Sequence, residues 1–152
     1  MKDILIDIKH SQSDSSKAEQ LKLNSRGKFA EKNGSFLIIY NDSILSDEYG
    51  NVKTQIRVSA DNSVTIIRTG AYNNRISLAC GKRVSCRYST PFGTTLIDFF
   101  GRSVANELSS NGGRLHFSYD VYSAREIISK NEIDITVIVV SDNGKTPDMP
   151  RL

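Results

Sequence analysis

Arg68 ends the run Val64-Thr65-Ile66-Ile67-Arg68, whose other members of the same parity, Val64 and Ile66, are apolar. A guanidinium on an apolar strand face is costly to bury unless it is paired. Its planar fork of donors suits a carboxylate or phosphate, and a low-dielectric surrounding strengthens that contact. Thr54, Tyr88 and Tyr119 fall on the same predicted inward face and would add hydroxyl donors. The chemistry these four imply is capture of a small, partly apolar anion inside a closed sheet. The competing reading is structural: an arginine that closes one barrel end on backbone carbonyls or on an acidic side chain. Asp98, which interrupts an apolar strand, is the candidate counter-ion.

A second group, Arg75, Lys82, Arg83 and Arg87, forms a dense basic cluster. As a site, it would meet RNA or an acidic protein surface, with Tyr72 and Tyr88 near it as stacking aromatics. The plainer reading is a solvated outer strip whose charges protect strand edges. The chain carries no motif of the common RNA-binding modules, so nucleic acid is the less favoured partner. The charge balance agrees. Twenty Lys and Arg against 17 Asp and Glu leave a net charge of only +3. Residues 51–130 hold 11 basic and 5 acidic side chains, so what excess there is lies mid-chain.

No catalytic, metal or cofactor residues emerge. His10 and His116 lie far apart with no cluster of further ligands, and no nucleophile elbow is present. The expected register sets Cys80 opposite Val84 and Cys86 opposite Leu78, which argues for two buried inert thiols and against a disulfide. The glycines near Asn111 sit between two strands and have no following helix to hold a phosphate.

The elements that would place these residues are strands, because the dominant period is two. Ile4, Ile6 and Ile8 alternate with Leu5, Asp7 and Lys9. His10 to Lys17 reads as a Ser-rich loop. A strand from about Glu19 to Ala30 follows, with Leu21, Leu23 and Phe29 inward and a bend or bulge expected at Gly27. Lys32-Asn33-Gly34 is a turn, and Ser35 to Tyr40 is apolar on both faces.

The clearest hairpin puts Val58 opposite Val64, Ile56 opposite Ile66 and Thr54 opposite Arg68. Its loop, Ala60-Asp61-Asn62, holds Asn62 in a left-handed conformation. Ile76, Leu78 and Cys80 form the next inward set, followed by Val84, Cys86 and Tyr88. A long strand from Thr94 to about Leu108 changes parity near Gly101, where a bulge is expected. Leu115, Phe117, Tyr119 and Val121 then alternate with outward Arg114, His116, Ser118 and Asp120. Ile133, Ile135, Val137 and Val139 line the last strand.

No apolar 3.6 period persists for three turns. The expectation is an all-β, antiparallel up-and-down barrel of about 8–10 strands, closed to remove its edges. The 152 residues fit one domain, 1–142, with residues 143–152 as a flexible tail. The N-terminus does not read as a signal peptide, since Asp3 and Asp7 interrupt its apolar stretch, and no run suits a membrane span. A cytoplasmic location with reduced thiols is the expectation; the oligomeric state is left open.

Arg68-Thr69-Gly70, the segment from Tyr88 to Gly93 (YSTPFG), Val52-Lys53-Thr54, Gly113-Arg114-Leu115 and Tyr119-Asp120 carry a resemblance across roughly residues 35–140. In order and spacing they resemble the YwiB-like family of small, uncharacterised bacterial proteins. That resemblance implies a calycin-type barrel structurally related to lipocalins. It implies no reaction and no catalytic residues.

Overall fold

The computed structural model describes residues 1–43, 50–71, 73–90 and 93–140. They form ten strands: β1 (Lys2–Ser13), β2 (Ala18–Lys32), β3 (Ser35–Asn41), β4 (Val52–Val58), β5 (Val64–Gly70), β6 (Asn74–Leu78), β7 (Arg83–Thr90), β8 (Gly93–Ser109), β9 (Gly112–Ser123) and β10 (Glu126–Val139). Each pairs antiparallel with its sequence neighbour, and β10 returns to β1 to close a barrel. At that closure Ile4 faces Val139, and Val140 N donates to Asp3 O at 2.8 Å. The fold is the antiparallel up-and-down barrel that the period of two implies. The proposed tail, residues 143–152, lies outside the described residues.

Alternation builds the interior. One end is packed solid by Ile4, Ile6, Phe29, Ile38, Val58, Val64, Phe117 and Ile135, all at most 1% exposed. Phe29 and Phe36 stack there with centroids 5.9 Å apart. The hairpin of β4 and β5 has the expected register, with Val58 on Val64 and Thr54 on Arg68. Asn62 has φ 66°, as its loop requires. The bulge in β8 falls between Gly101 and Ser103. A side chain at Gly101 would put its Cβ 2.4 Å from Ala79 O, so the close approach there admits only glycine.

Four expectations are corrected. First, β1 does not stop at Lys9. It continues through Ser13, because β2 and β10 supply hydrogen-bonding partners on both sides, and that ladder overrides the loop-like composition of His10 to Ser13. Second, β2 keeps its register through Gly27 without a bulge. Glycine is needed because a Cβ would meet Ile39 O at 2.4 Å and Ile6 Cδ1 at 2.7 Å.

Third, β6 ends at Leu78, and Cys80 is exposed; only Cys86 is buried. A tight turn, with Lys82 N donating to Ala79 O at 3.1 Å, carries Cys80 out beside Gly101. Asn74 pairs with Tyr88, two residues off the expected register, and this is the one ladder pair between β6 and β7 among the described residues. Fourth, Asp120 has outward parity but is fully buried. The bulge brings Arg102 over it, with Nε 2.6 Å from Oδ2.

Candidate ligand-binding site

The other end of the barrel is hollow. There the strands enclose a cavity of about 360 Å³. Its lining is apolar on one side: Ile8, Leu23, Ile56, Ile66, Ile76, Phe99 and Ile133. A polar belt crosses it, made of His10, Gln12, Tyr40, Asp42, Arg68, Tyr88, Tyr119, Ser129 and Asn131. Leu21 and Ile128, 40% and 43% exposed, line its mouth, so the cavity opens to solvent between them.

Strand register explains the belt. Arg68 faces Thr54 on β4 and Asn74 on β6. Thr54 in turn faces Tyr40, and Asn74 faces Tyr88. Tyr119 faces Asn131, which faces Gln12, while His10 lies between Ile133 and Leu21. Strand pairing therefore brings inward polar residues of eight strands together at this end, while β2 and β8 contribute apolar ones. Three of the four residues expected at the anion site, Arg68, Tyr88 and Tyr119, line this cavity. The fourth, Thr54, is fully buried on the inner face and does not line the cavity; its hydroxyl donates to Asp42 Oδ2 at 3.2 Å.

The belt also holds groups that sequence reasoning missed. His10 Nε2 lies 2.9 Å from Asn131 Oδ1, and Asn131 Nδ2 donates to Ser129 Oγ at 3.0 Å. Burial pushes the His10 pKa below the ordinary imidazole value, with Arg68 acting in the same direction; the Asn131 bond and Asp42 oppose the shift. The imidazole is thus neutral at neutral pH. Burial likewise pushes the Tyr119 hydroxyl up to about 12, against the pull of Arg68, so it stays a donor. Tyr40 is raised further, first by burial and then by Asp42. The signal for His10 was its parity: it continues the inward series Ile4, Ile6, Ile8.

Asp98 does not neutralise Arg68. It faces outward on β8 and binds Arg83 Nε at 2.7 Å and Ser85 Oγ at 2.5 Å. Arg83 also donates to Ala124 O and lies 4.3 Å from the Tyr122 ring centroid. Arg75, Lys82 and Arg87 are exposed on the outer surface along the β6–β7 seam. Arg83 is thus spent on the barrel wall, leaving three of the four cluster residues as a solvated strip. Tyr72 lies outside the described residues.

His116 binds Asp134 at 2.6 Å on the outer face. No group of His, Cys, Asp or Glu among the described residues is arranged to hold a metal ion. No helix among them is long and apolar enough to cross a membrane.

A closed antiparallel barrel with a hollow, polar-belted end defines the class as a calycin-like β-barrel protein. Residues 6–135 match the family described as "Domain of unknown function (DUF1934)", and the chain belongs to that family. Its fold is similar to that of the ywiB protein from Bacillus subtilis, whose crystal structure superposes with a TM-score of 0.80 at 21% sequence identity, covering 92% of this chain and 93% of that one. That likeness bears out the YwiB-like resemblance and the barrel architecture. No curated protein matches the chain.

Proposed function

We propose that this barrel is a non-enzymatic binder of a small, partly apolar organic anion, held in the cavity with its head group at Arg68. The observation that carries this reading is the 360 Å³ hollow, which has an apolar wall and one guanidinium in a belt that also holds hydroxyl and amide groups, the His10 imidazole and the Asp42 carboxylate. Pockets of this size hold small ligands. At roughly 30 Å³ per water-sized unit, it admits a ligand of about a dozen non-hydrogen atoms. The outer basic strip offers RNA or an acidic partner less, because Arg83 is already engaged by Asp98.

Native mass spectrometry of protein purified from its own host tests the reading. We expect a small-molecule adduct on the wild type and its loss from Arg68→Met at an unchanged Tm. A wild type without an adduct, or an adduct that survives in Arg68→Met, sinks the proposal.

A further inference from the structure

We infer that the outer wall formed by β2 to β6 is a docking surface for an acidic, amphipathic segment of a partner protein, seated across β3 to β5. This surface is separate from the cavity and does not depend on what fills it. It is also centred away from the β6–β7 strip, with which it shares Arg75.

β3 is apolar on both faces. Inside the barrel, Phe36, Ile38 and Tyr40 join the core. Outside, Leu37 and Ile39 are partly exposed, as is Ile67 on β5. β3 is paired along both edges, yet the described residues place no layer over its outer face. The same level runs on across the strands. Lys28 faces Ile39, Ile39 faces Gln55, Gln55 faces Ile67, and Ile67 faces Arg75. An apolar centre thus has a cation at each end, about 19 Å apart at the usual strand spacing.

Arg26, Lys53 and Arg57 stand exposed beside this row. No Asp or Glu occupies an outward position on β2 to β6; Glu19 and Glu31 have the opposite parity, near the ends of β2. Lys28 does reach Asp3 on β1, but both side chains are more than half exposed, and such pairs are weak.

Charge complementarity sets the occupant. Five exposed cations with no carboxylate among their outward neighbours on these strands attract a negative partner. Single-stranded nucleic acid binds on aromatic platforms, and these outward positions hold no aromatic. A phosphate backbone also offers nothing to Leu37, Ile39 and Ile67. A second copy of this chain fits poorly. Like walls repel, and Asp98, Asp120 and Asp134 on the opposite wall are already bound by Arg83, Arg102 and His116. A helix with apolar side chains at i, i+3, i+4 and i+7 and carboxylates on its flanks meets the surface. Ile39 and Ile67, two strands apart, are separated by about 10 Å, close to the rise between i and i+7.

The probe is a synthetic helical peptide with leucines at that spacing and glutamates elsewhere, titrated with the full chain by fluorescence anisotropy. Three comparisons accompany it: a scrambled peptide of the same composition, single-stranded poly(U) RNA, and phosphatidylglycerol vesicles. We expect the patterned peptide to bind about tenfold tighter than the scrambled one, the scale of one interface anchor. Ile39→Thr with Ile67→Thr should weaken it about tenfold, and so should Arg57→Glu with Arg75→Glu, each at an unchanged Tm. Amide shifts of the wild type on binding, which need no variant, should map to β3, β4 and β5. Equal binding of the two peptides, stronger binding of the RNA or the vesicles, shifts centred on another wall, or binding that survives both double variants overturns the inference. So does a patterned peptide that fails to bind.

Discussion

His10 and Arg68 share a cavity but differ in how they respond to pH. Arg68 stays charged throughout the accessible range. His10 is held neutral in the folded barrel, chiefly by burial, while the unfolded chain titrates near the ordinary imidazole value. Below that value the unfolded state takes up a proton that the folded state resists, so His10 makes stability fall as pH drops. The groups that bias it are Arg68, which deepens the effect, and Asp42 and Asn131, which relieve it. His10→Gln should therefore lose less Tm than the wild type between about pH 7.5 and about pH 5.5. Thermal melts across that window check it; an equal loss in both proteins removes His10 as the cause.

The strands are not equally secured. β4 and β5 share seven ladder pairs and β7 and β8 share eight, whereas β6 and β7 share one among the described residues, Asn74 with Tyr88. Strand pairs held by few ladder bonds open most readily. Amide exchange should be at least about tenfold faster on the seam side of β6 and β7 than in the β4–β5 ladder, and hydrogen-exchange mass spectrometry reads this directly. Comparable protection would mean that the seam is closed in solution.

This difference between strands also explains what the residues disclosed in advance. Thr54 on Arg68 was legible because both flanking strands alternate cleanly and the loop length leaves one register that joins their apolar faces. The bulge at Gly101 was legible as a change of parity. By contrast, the polar run from His10 to Ser13 looks like a loop, and only pairing with β2 and β10 makes it strand. The turn at Ala79 to Lys82 breaks the alternation that made Cys80 look buried. Three of the nine belt residues, Arg68, Tyr88 and Tyr119, followed from local pattern; the His10–Asn131 contact joins positions 121 residues apart.

The barrel as a whole has two unlike halves, one packed and one hollow, and β5 is among the strands that cross both. Val64 sits fully buried in the packed half against Val58 and Leu78, and Ile66, two residues on, lines the cavity. Val64→Phe has no room and should cost about 1–3 kcal/mol. Ile66→Phe can turn into the hollow, so its cost should stay below about 1 kcal/mol while the host-derived adduct disappears. Urea denaturation with native mass spectrometry measures both. A heavy penalty at Ile66 would show that the hollow collapses in solution.

The strand circuit closes where Asp3 meets Val140, at the packed half, while Gln12 on the same β1 reaches the cavity. From Ile4 to Gln12 the strand runs about 25 Å. The two ends of the described chain are thus neighbours on the side away from the mouth. A short linker could join them and a new break be cut at the Asn33-Gly34 turn without losing a rung of the ladder. For the same reason, a tether at either end would hold the barrel to a surface with its mouth facing the bulk solution.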